Sequence, residues 1–141
     1  MTDTTTMTGQ CLCGDVKYKG LGKASAVHAC HCRDCARFMG GPFLGVEFDG
    51  VQADGPVNWF QSSEWGERGS CSKCGSAMFW RLQDGGAHFT VTLGSLDDRK
   101  RIAPIDRHIF IDAMPHHYDF SDTAERLTGA QVMALFEGET E

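Results

Sequence analysis

The residues best suited to chemistry in this sequence are its cysteines, of which there are seven. They fall into three short segments: Cys11-Leu12-Cys13, Cys30-His31-Cys32-Arg33-Asp34-Cys35 and Cys71-Ser72-Lys73-Cys74. An odd number of thiols cannot pair completely into disulfides, and thiols clustered in this way more often bind a metal or carry out redox chemistry. Because two thiols one or two residues apart can both reach a zinc ion at about 2.3 Å, the spacing favours metal binding.

The number of thiols predicts how they divide between ions. Four thiolates close a tetrahedral zinc site, and the other three match a zinc ion that keeps its fourth position open. Spacing alone leaves open which four join, because the Cys-x-x-Cys pairs at 32–35 and 71–74 would also make an ordinary zinc ribbon. A mononuclear iron centre or an iron–sulfur cluster is the other metallic possibility. A thioredoxin-like redox role is disfavoured, because the sequence lacks the βαβ pattern that usually carries it.

The pattern between the cysteines predicts a mainly β scaffold with many turns. Glycine is abundant, with 17 residues, and short apolar runs alternate with turn residues. Strands are predicted at residues 15–19, 44–48, 57–61, 76–82, 88–93 and 107–111. The Asp-Gly-Gly segment 84–86 predicts a hairpin between the fourth and fifth of these strands. Near the C-terminus, Val132, Leu135 and Phe136 lie at helical spacing and predict one or two helical turns packed against the core.

Length and charge limit the class of protein. The 141 residues fit a flexible N-terminus at 1–8 followed by a single zinc-binding domain at 9–141. The net charge of -6 argues against nucleic acid as a partner, because phosphate binding needs a basic face. No apolar run approaches the roughly 18 residues of a membrane-spanning helix, so no membrane partner is expected. The threonine-rich start does not resemble a secretory signal, and we therefore expect a cytoplasmic protein.

Four motifs, in this order, resemble those of one known family, and a fifth extends the likeness. They are Gly9-Gln10-Cys11-Leu12-Cys13-Gly14-Asp15-Val16-Lys17-Tyr18, Cys30-His31-Cys32-Arg33-Asp34-Cys35, Cys71-Ser72-Lys73-Cys74-Gly75-Ser76, Gly94-Ser95-Leu96-Asp97-Asp98 and His108-Ile109-Phe110. On these motifs the chain resembles the glutathione-dependent formaldehyde-activating (GFA) family. The likeness covers most of the chain, and the order Cys-x-Cys, Cys-x-Cys-x-x-Cys, Cys-x-x-Cys is specific.

The resemblance implies a fold and two zinc ions per chain. The fold would be Mss4-like (β-tent), with antiparallel sheets, zinc knuckles and little helix. A structural zinc ion would be held by Cys11, Cys13, Cys71 and Cys74, and a catalytic zinc ion by Cys30, Cys32 and Cys35. Three ligands should hold the second ion more weakly than four hold the first, so we expect partial occupancy of the second site.

The resemblance also implies an activity, the condensation of glutathione with formaldehyde to S-(hydroxymethyl)glutathione, formally a carbon-sulfur lyase reaction. An incoming thiol would take the open zinc position and be held beside the aldehyde carbon for attack. The expected partner is therefore glutathione or another small thiol adduct, with formaldehyde or a related aldehyde as the second reactant. No general base is assigned. The alternative is a non-catalytic, zinc-stabilised module that binds a ligand or a protein.

Residues beside the cysteines carry further expectations. Four basic side chains flank the motifs: Arg33, Arg37, Arg68 and Lys73. They could bind the carboxylates of glutathione, although solvated surface charge is the favoured interpretation for each. His31 is expected to point away from the sulfurs, because alternate residues of an extended segment face opposite sides. Gly75 is expected to free backbone amides that hydrogen-bond to thiolate sulfur.

Overall fold

The structure is a computed structural model that describes residues 4–139. Within that range it contains nine strands and two α-helices. The strands are β1 (Thr4–Gln10), β2 (Lys17–Cys30), β3 (Phe43–Asp54), β4 (Val57–Gln61), β5 (Gly66–Cys71), β6 (Ala77–Leu82), β7 (His88–Thr92), β8 (Arg107–Ile109) and β9 (Glu125–Arg126). The helices are α1 (Arg33–Met39) and α2 (Gly129–Glu139). The prediction of a mainly β protein with little helix is confirmed.

All nine strands belong to one sheet. Its order is β4-β5-β6-β7-β3-β2-β8-β9, and β1 pairs with β2 outside this path. Most neighbours are antiparallel, but β2 with β8 and β8 with β9 are parallel. The sheet is therefore mixed, which corrects the expectation of purely antiparallel pairing. Parallel pairing needs a long crossover, and strands β3 to β7 supply it between β2 and β8. The Mss4-like name stays a prediction.

Several predicted strands agree closely with the structure. Strand β4 has the predicted bounds, and β6 and β7 each differ by one residue. Strands β6 and β7 pair antiparallel, which confirms the hairpin around residues 84–86. Strand β2 extends much further than predicted. Register shifts interrupt its middle, and because a bulged strand lacks regular alternation, the sequence pattern did not reveal its full length. Strand β5 was missed because its Gly-Glu-Arg-Gly-Ser-Cys sequence has no apolar alternation.

The N-terminal segment contributes a strand that the sequence did not predict. Residues 4–8, predicted to be flexible, lie in β1, which pairs with β2 over seven positions. Met7 is buried and its neighbours alternate in exposure, so one face of the threonine-rich strand packs inward. Residues 1–3 lie outside the described residues.

The C-terminal helix is confirmed, but its expected packing is wrong for two of its three apolar residues. Helix α2 buries Val132, whereas Leu135 is 47% exposed and Phe136 is 55% exposed. The helix packs against a short 3-10 turn at Ile111–Ala113.

The two faces of the sheet have different roles. The centre of the apolar core is made by side chains in register across four strands: Val27, Val46, Val91 and Phe79. Since successive side chains of a strand point to opposite faces, the opposite face carries the intervening residues. Across β5, β6, β7 and β3 these are Arg68, Trp80, Thr90 and Glu47, and on β2 they include Cys30. Three residues beyond Val27, Cys30 therefore ends its strand on the side away from the core.

Candidate metal centres

The seven cysteines come together as two separate groups. One contains Cys11, Cys13, Cys71 and Cys74, and the other contains Cys30, Cys32 and Cys35. Within each group the sulfur atoms all lie within 4.8 Å of one another. The grouping matches the one that the resemblance implies, and it removes the alternative of a ribbon built from residues 32–35 and 71–74.

Two similar turns build the four-cysteine group, at residues 11–16 and 71–76. In each turn the amide of the first residue donates to the carbonyl oxygen of the last, at 3.0 Å. The chain reverses at glycines with positive φ, 85° at Gly14 and 81° at Gly75, a conformation that other residues adopt only at a cost. Each turn follows directly on a strand end, so the strands carry the two halves of the group together.

Backbone amides point at the sulfurs of both turns. Cys71 Sγ accepts from the amides of Lys73 and Cys74, each at 3.4 Å. In the other turn the first sulfur accepts from the amide of Val16 at 3.3 Å. Such donors stabilise the thiolate form. The amide of Gly75 itself donates to the Cys71 carbonyl oxygen at 2.8 Å, so the glycine acts by shaping the turn while its predecessors supply the donors.

The donor set fits a tetrahedral zinc ion. Four sulfurs at about 2.3 Å from one ion would lie about 3.8 Å apart. Cys13 Sγ lies 3.6 Å from Cys11 Sγ and 3.8 Å from Cys71 Sγ. The Ser76 hydroxyl lies 3.2 Å from Cys74 Sγ, and hydrogen bonds from Ser76 lower the pKa of the Cys74 thiol to about 5. This group therefore has the spacing that a closed zinc site requires, and its Cys74 favours the thiolate form.

The three-cysteine group is assembled from a strand and a helix. Cys30 is the last residue of β2, and Cys32 caps the N-terminus of α1, where its Sγ accepts from the Cys35 amide at 3.3 Å. Cys35 is buried within the helix. Hydrogen bonds from the Cys30 and Cys35 thiols lower the pKa of Cys32 to about 2. The Cys30 and Cys35 thiols thus favour the thiolate form of Cys32, and the three sulfurs lie close enough together to share one metal ion.

Comparison with known families shows which family the chain belongs to. The family model described as glutathione-dependent formaldehyde-activating enzyme matches residues 6–113. That span holds both cysteine groups, most of β1 and all of β2 to β8. The chain belongs to this family.

Two relatives extend the comparison for this GFA-family protein. An uncharacterized lyase of Schizosaccharomyces pombe (strain 972 / ATCC 24843) is 25% identical over 128 residues, which cover 89% of this chain and 93% of the relative. A crystal structure of a Rhodobacter sphaeroides protein matches with a TM-score of 0.56 at 16% identity, covering 70% of this chain and 97% of that chain. The second likeness concerns the fold alone.

Arg68, in strand β5, is the one of the four basic candidates whose burial the sequence did not predict. It is only 7% exposed, so the interpretation as solvated surface charge is wrong for this residue. Its Nη1 lies 3.5 Å from Cys35 Sγ and its Nε donates to Ser62 Oγ at 3.0 Å. The guanidinium carbon lies 5.4 Å from the centre of the Phe38 ring. Segment 66–71 carries no local signal of this burial, because Arg68 is buried only where β5 packs beside α1.

The other three basic candidates lie at the surface as expected. Arg33 and Arg37 are exposed on α1. Lys73 Nζ lies 2.7 Å from an Asp15 carboxylate oxygen and links the two cysteine turns from outside. The hydrogen bond with Lys73 lowers the pKa of the Asp15 carboxyl.

A buried chain of polar side chains lies behind the three-cysteine group. His31 Nε2 lies 2.9 Å from His108 Nδ1, and His108 Nε2 lies 3.0 and 3.1 Å from the two carboxylate oxygens of Asp122. Because the carboxylate accepts, the network assigns the proton to His108 Nε2, and His108 Nδ1 then accepts from His31 Nε2. His31 Nδ1 is left buried and unpartnered among residues 4–139. The His31 side chain thus contacts β8 and points away from the sulfurs, as expected. The network that it forms with His108 and Asp122 has no local sequence signal.

None of the helices between residues 4 and 139 has the length and apolar character needed to span a membrane.

Proposed function

We propose that this GFA-family protein is a zinc-dependent carbon-sulfur lyase that joins glutathione or another small thiol to formaldehyde or a related aldehyde. The observation that carries the proposal is the division of the cysteines into a closed set of four and an open set of three. The family description and the name of the yeast relative support a lyase. A structural zinc ion would be held by Cys11, Cys13, Cys71 and Cys74, and a catalytic one by Cys30, Cys32 and Cys35.

The reaction is an addition in which atoms and electrons balance without an oxidant. A carbon–sulfur bond forms between the thiol and the aldehyde carbon, the carbonyl π bond breaks, and the thiol proton ends on the new hydroxyl oxygen. Zinc, when bound by the three cysteines, would supply an open position that orients the incoming sulfur. Three thiolates leave a net charge of -1 around a divalent ion, which suits thiol binding better than the activation of water.

The two cysteine groups would have different roles. Cys32, whose thiolate form its two neighbours favour, would be a ligand at the start of α1, and the first turn of that helix brings Cys35 close to it. The four-cysteine group joins the segment between β1 and β2 to the turn between β5 and β6. Closing that long loop is entropically costly without a cross-link, so the first zinc ion would act on the fold and the second on the substrate. We propose a cytoplasmic location, since a reducing compartment keeps such thiols free.

The test measures exchange between free formaldehyde and S-(hydroxymethyl)glutathione by NMR, because the uncatalysed addition is fast and endpoint yields are uninformative. The native protein is expected to accelerate exchange above the buffer rate. Cys35→Ser is expected to lose the acceleration while native mass spectrometry still shows one zinc ion. Exchange at the buffer rate with both ions bound contradicts the enzyme and favours a zinc-stabilised module that binds a ligand or a protein.

A further inference from the structure

Arg68 is a buried cation that forms no ion pair with a carboxylate of the described residues 4–139. The ion pairs of residues 4–139 all involve other side chains, and Arg68 is absent from them. Burying a guanidinium is costly unless an anion lies close to it. The structure places the three-cysteine group beside Arg68, through the 3.5 Å contact of Nη1 with Cys35 Sγ, and this group becomes anionic when its thiols bind a metal ion.

The guanidinium is held in this position from two further directions. Nε donates to the Ser62 hydroxyl, and the face of the guanidinium lies near the Phe38 ring of α1. Arg68 therefore bridges strand β5 and helix α1, the helix that carries Cys35. A planar group held at three points keeps its charge in one place, which a mobile surface side chain does not do.

The net charge of a metal ion and its ligands in the three-cysteine group indicates which fourth ligand the Arg68 guanidinium would favour. Zinc with three thiolates carries -1, and an added thiolate would bring the centre to -2. A half-buried centre tolerates such a charge poorly unless a cation lies beside it. Water or imidazole as fourth ligand adds no charge and gains little from the guanidinium.

We propose that Arg68 is a specificity-determining positioning residue that makes the three-cysteine site prefer an anionic sulfur over a neutral fourth ligand. The inference rests on the proposed function, because it concerns the ligand that enters the open position. It also differs from the binding of substrate carboxylates, because the group that Arg68 serves is the metal-bound sulfur.

The test uses protein loaded with cobalt, whose visible absorption reports the ligands of the open site. Glutathione and imidazole are titrated separately into the native protein, Arg68→Gln and Arg68→Lys. We expect Arg68→Gln to weaken glutathione binding by about tenfold or more and to change imidazole binding by less than about twofold. Arg68→Lys keeps the charge and should recover part of the glutathione affinity.

Arg81→Gln is the matched control. Arg81 also lies over an aromatic ring, 3.5 Å from the centre of Trp59, but it pairs with Glu67 and does not contact the cysteines. Its removal should leave both titrations unchanged. Thermal melting of each variant shows that it is folded, and the ratio of the two affinities within one variant cancels any general loss of metal.

The outcomes separate the two proposals. Equal losses of glutathione and imidazole affinity in Arg68→Gln, or no loss of either, overturn the role of Arg68 and leave the lyase standing. A selective loss of glutathione affinity together with exchange at the buffer rate supports Arg68 and overturns the lyase. If glutathione leaves the native cobalt spectrum unchanged, both proposals are wrong.

Discussion

The two cysteine groups balance the charge of their thiolates by different means. In the four-cysteine group, backbone amides of two short turns point at the sulfurs, and Cys13 lies exposed to water. In the three-cysteine group, one amide donates to Cys32 Sγ, and a buried guanidinium from a separate strand lies beside Cys35. Amide donors come with a local turn and suit a closed, structural site. A distant side chain can be placed to serve one open position, which suits a site that must admit a ligand.

The largest expected effect is the loss of the four-cysteine site. Cys71 is buried and its sulfur accepts two amides, so Cys71→Ser should prevent zinc closure and leave the loop between β1 and β5 unrestrained. Structural zinc typically contributes as much free energy as a small domain has in total, about 5–15 kcal/mol. We expect no cooperative melting above 25 °C by circular dichroism, for this variant and after stringent chelation of the native protein. Unchanged melting after zinc removal contradicts the structural assignment.

Loss of the three-cysteine site should affect the fold much less. Cys35→Ser replaces a buried ligand with a hydroxyl, and we expect the free energy of unfolding to fall by about 1–3 kcal/mol. Native mass spectrometry should then show one zinc ion instead of two. Cys32→Ser serves as a second variant at the same site. If either variant unfolds as completely as Cys71→Ser, the two groups do not divide structure from chemistry.

Disrupting the histidine network should lower the stability of the fold and weaken zinc binding at the three-cysteine group, but not at the four-cysteine group. His108→Leu removes the partner of both His31 and Asp122 and should lower the free energy of unfolding by about 2–4 kcal/mol, since buried polar groups lose their hydrogen bonds. We also expect weaker zinc retention by the three-cysteine group, because His31 lies between two of its ligands. Metal competition with a chromophoric chelator measures each ion in turn. Equal weakening of both ions contradicts a local effect, and Asp122→Asn is the milder control.

The smallest effect is expected from breaking the ion pair between Lys73 and Asp15, which links the two cysteine turns through side chains. Lys73→Gln breaks the exposed contact with Asp15 but leaves every amide-to-sulfur hydrogen bond intact. Exposed pairs contribute little, so the melting temperature should change by less than about 2 °C. Zinc stoichiometry should stay the same. A large loss of zinc in this variant would mean that side-chain charge, and not turn geometry, holds the four-cysteine group.

The sequence alone predicts much of the mainly β fold and the candidate ligands. The strand at 57–61, the hairpin around 84–86 and the helix near residue 132 all have local signals of alternation, turn residues or helical spacing. Strand β1 and the long, bulged β2 lack such signals, because their pairing with each other stabilises them. The mixed sheet could not be predicted either, since β8 meets β2 only after the intervening strands have folded back.

At the site, the local sequence is enough to specify the two turns of the four-cysteine group, because the hydrogen bonds of each lie within six residues and a glycine permits the reversal. The family motifs also indicate which cysteines belong together. The burial of Arg68 against Cys35 and the contact of His31 with His108, 77 positions away, arise only in the folded chain. Such contacts have no local signature, because they arise where separate strands and a helix pack, and their energies depend on burial that exists only in the folded chain.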